Sequence, residues 1–423
     1  MILINQIHIG GNLHMHIKYK KILIIILLLL ITMTSTSIAT ESIFVWSNES
    51  EEVTTSSSVA EQTGNFLNLE SASAVLMEQN TGKILYEHNP HEQLRPASVT
   101  KIMSLVLIME AIDSGKLNYT DKIQCTERAA KMGGSQIWLD VREELSVDEM
   151  LKAICVVSAN DCTVAMAEYI SGSEELFVEQ MNNKAKQLGM NDTTFKNCHG
   201  LDEDGHVTSS YDIALMSREL MINHPNITKY TTIWMDSLRD GQSELVNTNK
   251  LVRNYTGATG LKTGSTSVAL FNLSATATRD NLSLISVIMR GPTSAIRFSE
   301  AQKLLDYGFS NYSYKEFGKQ NEIVQNVVVA KGVEQCLDLV LDKTAGTLIK
   351  KGQEKAIEQN IIIEENIQAP IIKGQKLGEV TFTLNGEIID KVELVASKEV
   401  RKINIFNMTG HIYMNWFKML RKI

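Results

Sequence analysis

The chain has 423 residues, 49 acidic and 41 basic, and a formal net charge of −8. That length accommodates two domains with extensions around a sizeable core, and the mild negative charge excludes a partner such as nucleic acid bound through an overall basic surface. Five cysteines (Cys125, Cys155, Cys162, Cys198 and Cys336) form no C-x-x-C pair and no zinc-ligand spacing, so buried free thiols are expected rather than a disulfide framework or a metal site.

Lys18, Lys20 and Lys21 precede the apolar run Ile22 to Ile31, and Ser37-Ile38-Ala39 follows it. This predicts a secretory signal peptide over residues 1–39, cut after Ala39, with Met1 or Met15 as its start. An uncleaved anchor is the rival, opposed by the shortness of the run. Either places the body outside the cytoplasm. Residues 40–67, rich in Ser, Thr and Glu, read as a flexible linker.

A first folded domain is expected over residues 68–315. Ala72 to Met77 and Lys83 to Glu87 read as strands around Asn80-Thr81-Gly82. Pro96 suits a first helical turn, opening a buried helix through Ile102 to Met109 that ends at Gly115. The pattern stays helical to about Tyr230. Ser146 to Glu149 forms a capping box ahead of Met150 to Val157, and a break falls at Ser158 to Asp161. Glu174 to Leu188 closes at Gly189, and Tyr211 to Met221 is one more helix. Strand character runs from Leu261 to Thr278 and, after a turn at Arg279 to Asn281, from Leu282 to Arg290; a helix over Ile296 to Tyr307 follows. The fold class is therefore α+β: an antiparallel sheet completed by both ends of the domain, flanked by helices, with a helical subdomain inserted. Residues 316–398 carry short strand-like runs and an Asn385-Gly386 hairpin signal, predicting a small all-β domain. In residues 399–423 an apolar stripe at steps of three and four adjoins a polar face, and from Arg401 onward there is no acidic residue. This predicts an amphipathic helix lying in an anionic membrane surface; a helix docked on the protein is the rival, and Gly410 weakens either.

Three motifs occur once each, in order: Ser98-x-x-Lys101 at a helix start, Ser158-Ala159-Asn160 between helices, and Lys262-Thr263-Gly264 on a strand. Ser98 alone reads as a capping serine beside a solvated lysine. Together the three form a signature of penicillin-binding proteins and class A β-lactamases. A serine needs a base within hydrogen-bond reach, and Lys101 can serve only with its pKa lowered by burial and a second ammonium, which Lys262 supplies. In that scheme Ser98 is the acyl-ester nucleophile and Lys101 its general base. Ser158 relays a proton to the leaving group, and Asn160 orients Lys101 and the substrate amide. Lys262 and Thr263 receive a substrate carboxylate, Gly264 lets substrate lie close, and the N–H groups of Ser98 and Ser265 make an oxyanion hole. No cofactor or metal enters. His199, at a turn before Gly200, is read as a packing residue, since no G-x-S-x-G elbow or H-E-x-x-H accompanies it.

The chain resembles the low-molecular-mass penicillin-binding proteins that are serine-type D-alanyl-D-alanine carboxypeptidases. The resemblance rests on Leu94 to Ser98, Gly133-Gly134-Ser135-Gln136, Ser158 to Asp161, Asn197-Cys198-His199-Gly200-Leu201 and Gly260 to Gly264. It implies a penicillin-binding/β-lactamase-like catalytic domain over 68–315, removal of the terminal D-Ala from peptidoglycan stem pentapeptides, β-lactam antibiotics as covalent inhibitors, and attachment to the outer face of the cell membrane. Cys198 departs from the family by standing where proline is expected; with Cys155 and Cys162 it raises thiol sensitivity near the site as an expectation. Two rivals remain: a β-lactamase, whose extra glutamate finds its nearest candidate in Glu179, and a slow-turnover penicillin-binding sensor or wall-binding protein.

Overall fold

A computed structural model describes residues 65–404. The expected signal peptide, nearly all of the expected linker and the tail from residue 405 lie outside the described residues. β1 (Ser73–Glu78) and β2 (Ile84–His88) form the expected hairpin, with Gly82 at φ 74°. A 3-10 turn over Ala97–Thr100 leads into α1 (Lys101–Asp113), whose ten buried residues include polar ones, because packing surrounds it. Gly115 stops it at φ 73°, a left-handed position that a side chain disfavours.

β3 (Lys122–Gln124) and β4 (Glu144–Ser146) pair across a loop carrying the single turn α2 (Glu127–Ala130). Both hydrogen bonds of the Ser146–Glu149 capping box are made at the start of α3 (Val147–Val156). Then come α4 (Asn160–Ser171), α5 (Glu174–Gln187), α6 (Ser210–Asn223), the short α7 (Thr228–Thr231), a hairpin of β5 (Met235–Leu238) with β6 (Ser243–Val246), and the short α8 (Leu251–Asn254). The domain closes with β7 (Ala258–Thr266), β8 (Leu270–Arg279), β9 (Leu282–Gly291) and α9 (Ser294–Asn311).

The sheet order is β2-β1-β9-β8-β7, antiparallel throughout, so the two ends of the domain meet at its centre. The single strand expected from Leu261 to Thr278 is two strands. Leu270 turns at φ 55° and Thr266 Oγ1 accepts the Ala269 N–H at 2.9 Å. The turn, Ser267-Val268-Ala269, lacks the Gly, Pro or Asn that mark most turns. β3 and β4 likewise lie inside the stretch that reads as helical. They are three-residue strands, too short to imprint a period of two.

Alternate strand residues serve two cores. Val75, Met77, Ile285, Val287 and Met289 pack against α1, α3, α4 and α6, while Ala74, Leu76, Leu273, Ala275 and Leu284 pack against Phe298, Leu304 and Leu305 of α9. Both faces being covered, the strands carry near-continuous apolar runs.

β10 (Tyr312–Gly318), absent from the sequence reading, pairs with β13 (Ala345–Lys350), and this ribbon touches both the α9 core and a third core. The third core fills a five-stranded sheet, order β11-β12-β16-β15-β14, made of β11 (Ile323–Val328), β12 (Cys336–Leu341), β14 (Ile357–Ile363), β15 (Lys376–Leu384) and β16 (Glu387–Ala396). Asn385 and Gly386 turn the last hairpin at φ 53° and 85°, the paired positive angles of a type I′ turn. Residues 399–404, the described start of the expected amphipathic helix, are not helical. Val400 pairs with Ile371 and Lys402 with Gly332, so their backbone completes the β domain instead. Among the described residues no helix is long and apolar enough to cross a membrane.

Candidate active site

β7 is the last strand of its sheet, and its open edge faces the turn that carries Ser98. The approach is close enough to demand glycine: a Cβ on Gly264 would lie 2.8 Å from the Pro96 carbonyl oxygen and 3.0 Å from the Ser98 nitrogen. Asn272 of β8 fastens the same turn, its amide donating to the carbonyls of Arg95 at 2.8 Å and Pro96 at 3.0 Å. Ala97 takes a left-handed φ of 50°, and Gly200 presses on it so tightly that a Cβ there would meet the Ala97 oxygen at 1.9 Å. Between Pro96 and Met109, Ser98 is the one residue not fully buried. A strained, over-determined turn thus presents one hydroxyl.

Lys101 is wholly buried, with Nζ 3.1 Å from Ser98 Oγ, 2.5 Å from Asn160 Oδ1 and 2.7 Å from the His199 carbonyl oxygen. Burial first, then the nearby Lys262 ammonium, pushes its pKa well below the ordinary value. Lys262 is buried too. Burial lowers its pKa to about 7, with Arg297 adding to the effect and Cys155 opposing it. Its Nζ donates to the Thr263 carbonyl at 3.0 Å, and Thr263 Oγ1 lies 2.7 Å from Thr248 Oγ1.

Ser158 bridges α3 and α4 at φ 66°, and its buried Oγ has no hydrogen-bond partner. Asn160 opens α4 and is committed on three sides: Oδ1 to Lys101, Nδ2 donating to the Gly133 carbonyl at 2.7 Å, and its backbone N–H donating to the Ser135 carbonyl at 2.7 Å. Asp161 accepts the N–H groups of Ile137 at 3.0 Å and Leu139 at 3.1 Å. The loop 133–139 is thereby laced to the start of α4. The structure thus gathers Ser98, Lys101, Asn160, Lys262, Thr263 and Gly264 around one cleft edge, with Ser265 exposed just beyond them on β7 and Ser158 at the join of α3 and α4.

The His199 ring packs: its Nδ1 accepts the Leu201 N–H at 3.1 Å, and burial, then Lys101, lowers its pKa to about 3. Its backbone carbonyl is what reaches Lys101, a contact that no side-chain pattern announces. Asn272 and Arg297 were also missed. Asn272 left a signal, being a lone amide within the apolar Leu270–Leu273 run. Arg297 supports β7 from below, donating to the carbonyls of Gly264 at 3.1 Å and Asn272 at 3.2 Å. Thiol sensitivity is not supported by the geometry. Cys155, Cys162 and Cys198 are buried free thiols; burial raises Cys155 to about 12 and the other two well above the ordinary value, so the reactive thiolate is disfavoured.

A half-buried serine beside a fully buried lysine at the open edge of an antiparallel sheet, on a two-domain α+β chain, defines the class of serine acyl-transfer enzymes. The profile of the D-alanyl-D-alanine carboxypeptidase family matches residues 55–293, and that of the penicillin-binding protein 5 C-terminal domain matches residues 312–402. The chain is 43% identical over 353 residues to D-alanyl-D-alanine carboxypeptidase DacF of Bacillus subtilis, covering 82% of this chain and 90% of that protein. Penicillin-binding protein 5 from Haemophilus influenzae superposes with a TM-score of 0.68 at 32% identity, covering 79% of this chain and 98% of that one. Penicillin-binding protein D2 from Listeria monocytogenes, solved in the ampicillin bound form, gives a TM-score of 0.53 at 31% identity over 57% of this chain and 99% of its own. The chain belongs to the D-alanyl-D-alanine carboxypeptidase family, a family of serine peptidases.

Proposed function

We propose that the enzyme removes the terminal D-alanine of peptidoglycan stem pentapeptides through an ester on Ser98. The observation that carries this is Lys101: fully buried, without a carboxylate partner, and 3.1 Å from Ser98 Oγ. A neutral amine there spends its two N–H bonds on Asn160 and the His199 carbonyl and turns its lone pair to the serine hydroxyl. Lys101 takes the Ser98 proton as Oγ attacks the penultimate D-alanyl carbonyl. The charge on that oxygen is met by the N–H groups of Ser98 and Ser265. The C–N bond then breaks, and the proton passes from Lys101 through Ser158 to the departing amine. Water, deprotonated by Lys101, hydrolyses the ester and frees Ser98. Lys262 and Thr263 hold the carboxylate of the leaving D-alanine, and Asn160 holds Lys101 in place. A β-lactam acylates the same serine but leaves nothing to depart, so its adduct persists; the Listeria relative holding ampicillin supports this. Glu179, the candidate for a β-lactamase's extra glutamate, is exposed in mid-α5, which disfavours that reading. Arg401, Lys402, Lys418, Arg421 and Lys422 support peripheral attachment to the anionic outer face of the cell membrane.

Purified protein given a pentapeptide ending in D-Ala-D-Ala, and separately a β-lactam, tests the reading. D-Ala release with a long-lived adduct, both lost in Ser98→Ala, is the expected result. Rapid β-lactam turnover would reassign the protein as a lactamase, and an adduct without D-Ala release would make it a sensor.

A further inference from the structure

At the C-terminal end of β9 the pairing with β8 skips. Phe271 opposes Gly291 and Leu273 opposes Ile288, leaving Met289 and Arg290 opposite Asn272 alone. This is a β-bulge, a device that re-aims a side chain and is common next to active sites. Arg290 sits in it at φ 55°, a conformation costly for a residue with a Cβ. Its backbone N–H donates to Asn272 Oδ1 at 2.7 Å. The amide of that same asparagine holds the carbonyls of Arg95 and Pro96, so one side chain sets the bulge relative to the Ser98 turn.

At the bulge Arg290 lines a cavity of about 190 Å³. Its other walls are Gln93, Leu94, Arg95, Val207 and the Val268–Ala269 turn that follows β7. Pockets for whole small ligands run to about 300–1,000 Å³, so this one suits a single residue of a longer ligand. Among the described residues the exposed Arg290 guanidinium makes no hydrogen bond or ion pair, whereas Arg95 is held by Asp204 at 2.9 Å and by the Glu203 carbonyl.

The direction of the substrate follows from the proposed function, on which this inference rests. With the terminal carboxylate at Lys262 and Thr263, and the acyl carbonyl between the N–H groups of Ser98 and Ser265, the peptide runs antiparallel to β7. Its upstream residues then pass Thr266 and arrive at Val268, Ala269 and Arg95, the rim of the cavity. We propose that Arg290 binds a carboxylate on the side chain of the substrate residue immediately upstream of the acylating D-alanine, making it a specificity residue for the charge state of that third stem residue. A guanidinium fork recognises a carboxylate bidentately and gains nothing comparable from a carboxamide.

The test uses two stem pentapeptides identical except that the third residue, the diamino acid, ends in a free carboxylate or its carboxamide. Wild-type kcat/KM should favour the carboxylate roughly tenfold, the scale of one charged hydrogen bond. Arg290→Gln, and Arg290→Gly, which suits the positive φ, should bring the ratio close to one, while Arg290→Lys keeps part of it. As a readout independent of any variant, raising salt to about 1 M, where attraction is screened beyond roughly 3 Å, should shrink the wild-type ratio. Equal wild-type rates for the two peptides, or a preference that survives both uncharged variants or high salt, would overturn the assignment. Failure to release D-Ala from either peptide would instead overturn the carboxypeptidase reading, and this assignment with it.

Discussion

Ser158 and Lys101 illustrate how a side chain is set up for chemistry at a cost to the fold. Burial, then Lys262, pushes the Lys101 pKa well below its ordinary value, and its three contacts are an amide oxygen, a carbonyl and the serine, none of them an anion. Ser158 leaves a buried hydroxyl unpartnered, a defect worth roughly 1–3 kcal/mol, at a left-handed φ of 66°. Such defects persist where activity needs them. Ser158→Ala should therefore hold or raise the unfolding free energy, measured by denaturant titration, while β-lactam acylation slows about 100-fold or more, the contribution typical of a proton-transfer group. Loss of stability alongside unchanged acylation would remove Ser158 from the mechanism. At this scale the sequence was informative about side chains and silent about backbone. The S-x-x-K, S-A-N and K-T-G triplets were legible, but the His199 carbonyl beside Lys101 was not, because every residue has a carbonyl and only folding aims it.

Two elements, the Ala97–Thr100 turn and β7, make the cleft by lying almost in contact. Gly264 is where they touch. In Gly264→Ala the new Cβ would meet backbone atoms of Pro96, Ser98 and Val99 within 3.0 Å, and backbone cannot swing aside as a side-chain tip can. β7 must withdraw, and the oxyanion hole proposed between the two elements opens. Acylation should fall about 100-fold or more, while circular dichroism stays near wild type because the β8–β9 pairing is untouched; unchanged acylation would show that the approach is dispensable. Helix ends were readable from Gly115, Gly189 and the Ser146–Glu149 box, since capping is a local transaction between neighbours in sequence. The β7–β8 turn and the three-residue strands β3 and β4 were not. The turn is shaped by hydrogen bonding between unremarkable residues, and short strands gain their pairing from partners about 20 residues away.

For the molecule as a whole, two buried histidines set an acid limit. Burial holds His199 to about 3 and His206 to about 4, against an ordinary value of 6.5. His206 is engaged at both nitrogens, Nδ1 accepting the Lys196 N–H at 3.2 Å and Nε2 lying 2.8 Å from Thr100 Oγ1. The unfolded chain binds these protons first, so stability falls as pH drops below 6.5 and continues to fall toward 4 and then 3. The slope well below 6.5 should reach about 1.4 kcal/mol per histidine per pH unit. Denaturation midpoints at stepped pH should show it, with His206→Gln flattening the curve between 6 and 4; an unaltered slope in that variant would assign the acid loss elsewhere.

Much of the architecture was present in local pattern. The α+β body and the all-β domain with its Asn385-Gly386 hairpin rest on periodicity, capping and turn chemistry, which act over a few residues, and the three triplets are legible as a short-motif signature. Tertiary structure decided what depends on distant partners: the fifth strand, the β10–β13 ribbon, the carbonyl beside Lys101, the burial that lowers that lysine's pKa, and the Asn272 amide joining Arg290 to the Ser98 turn. A lysine's charge state is set by the dielectric around it, and that is created only when the chain has closed over it.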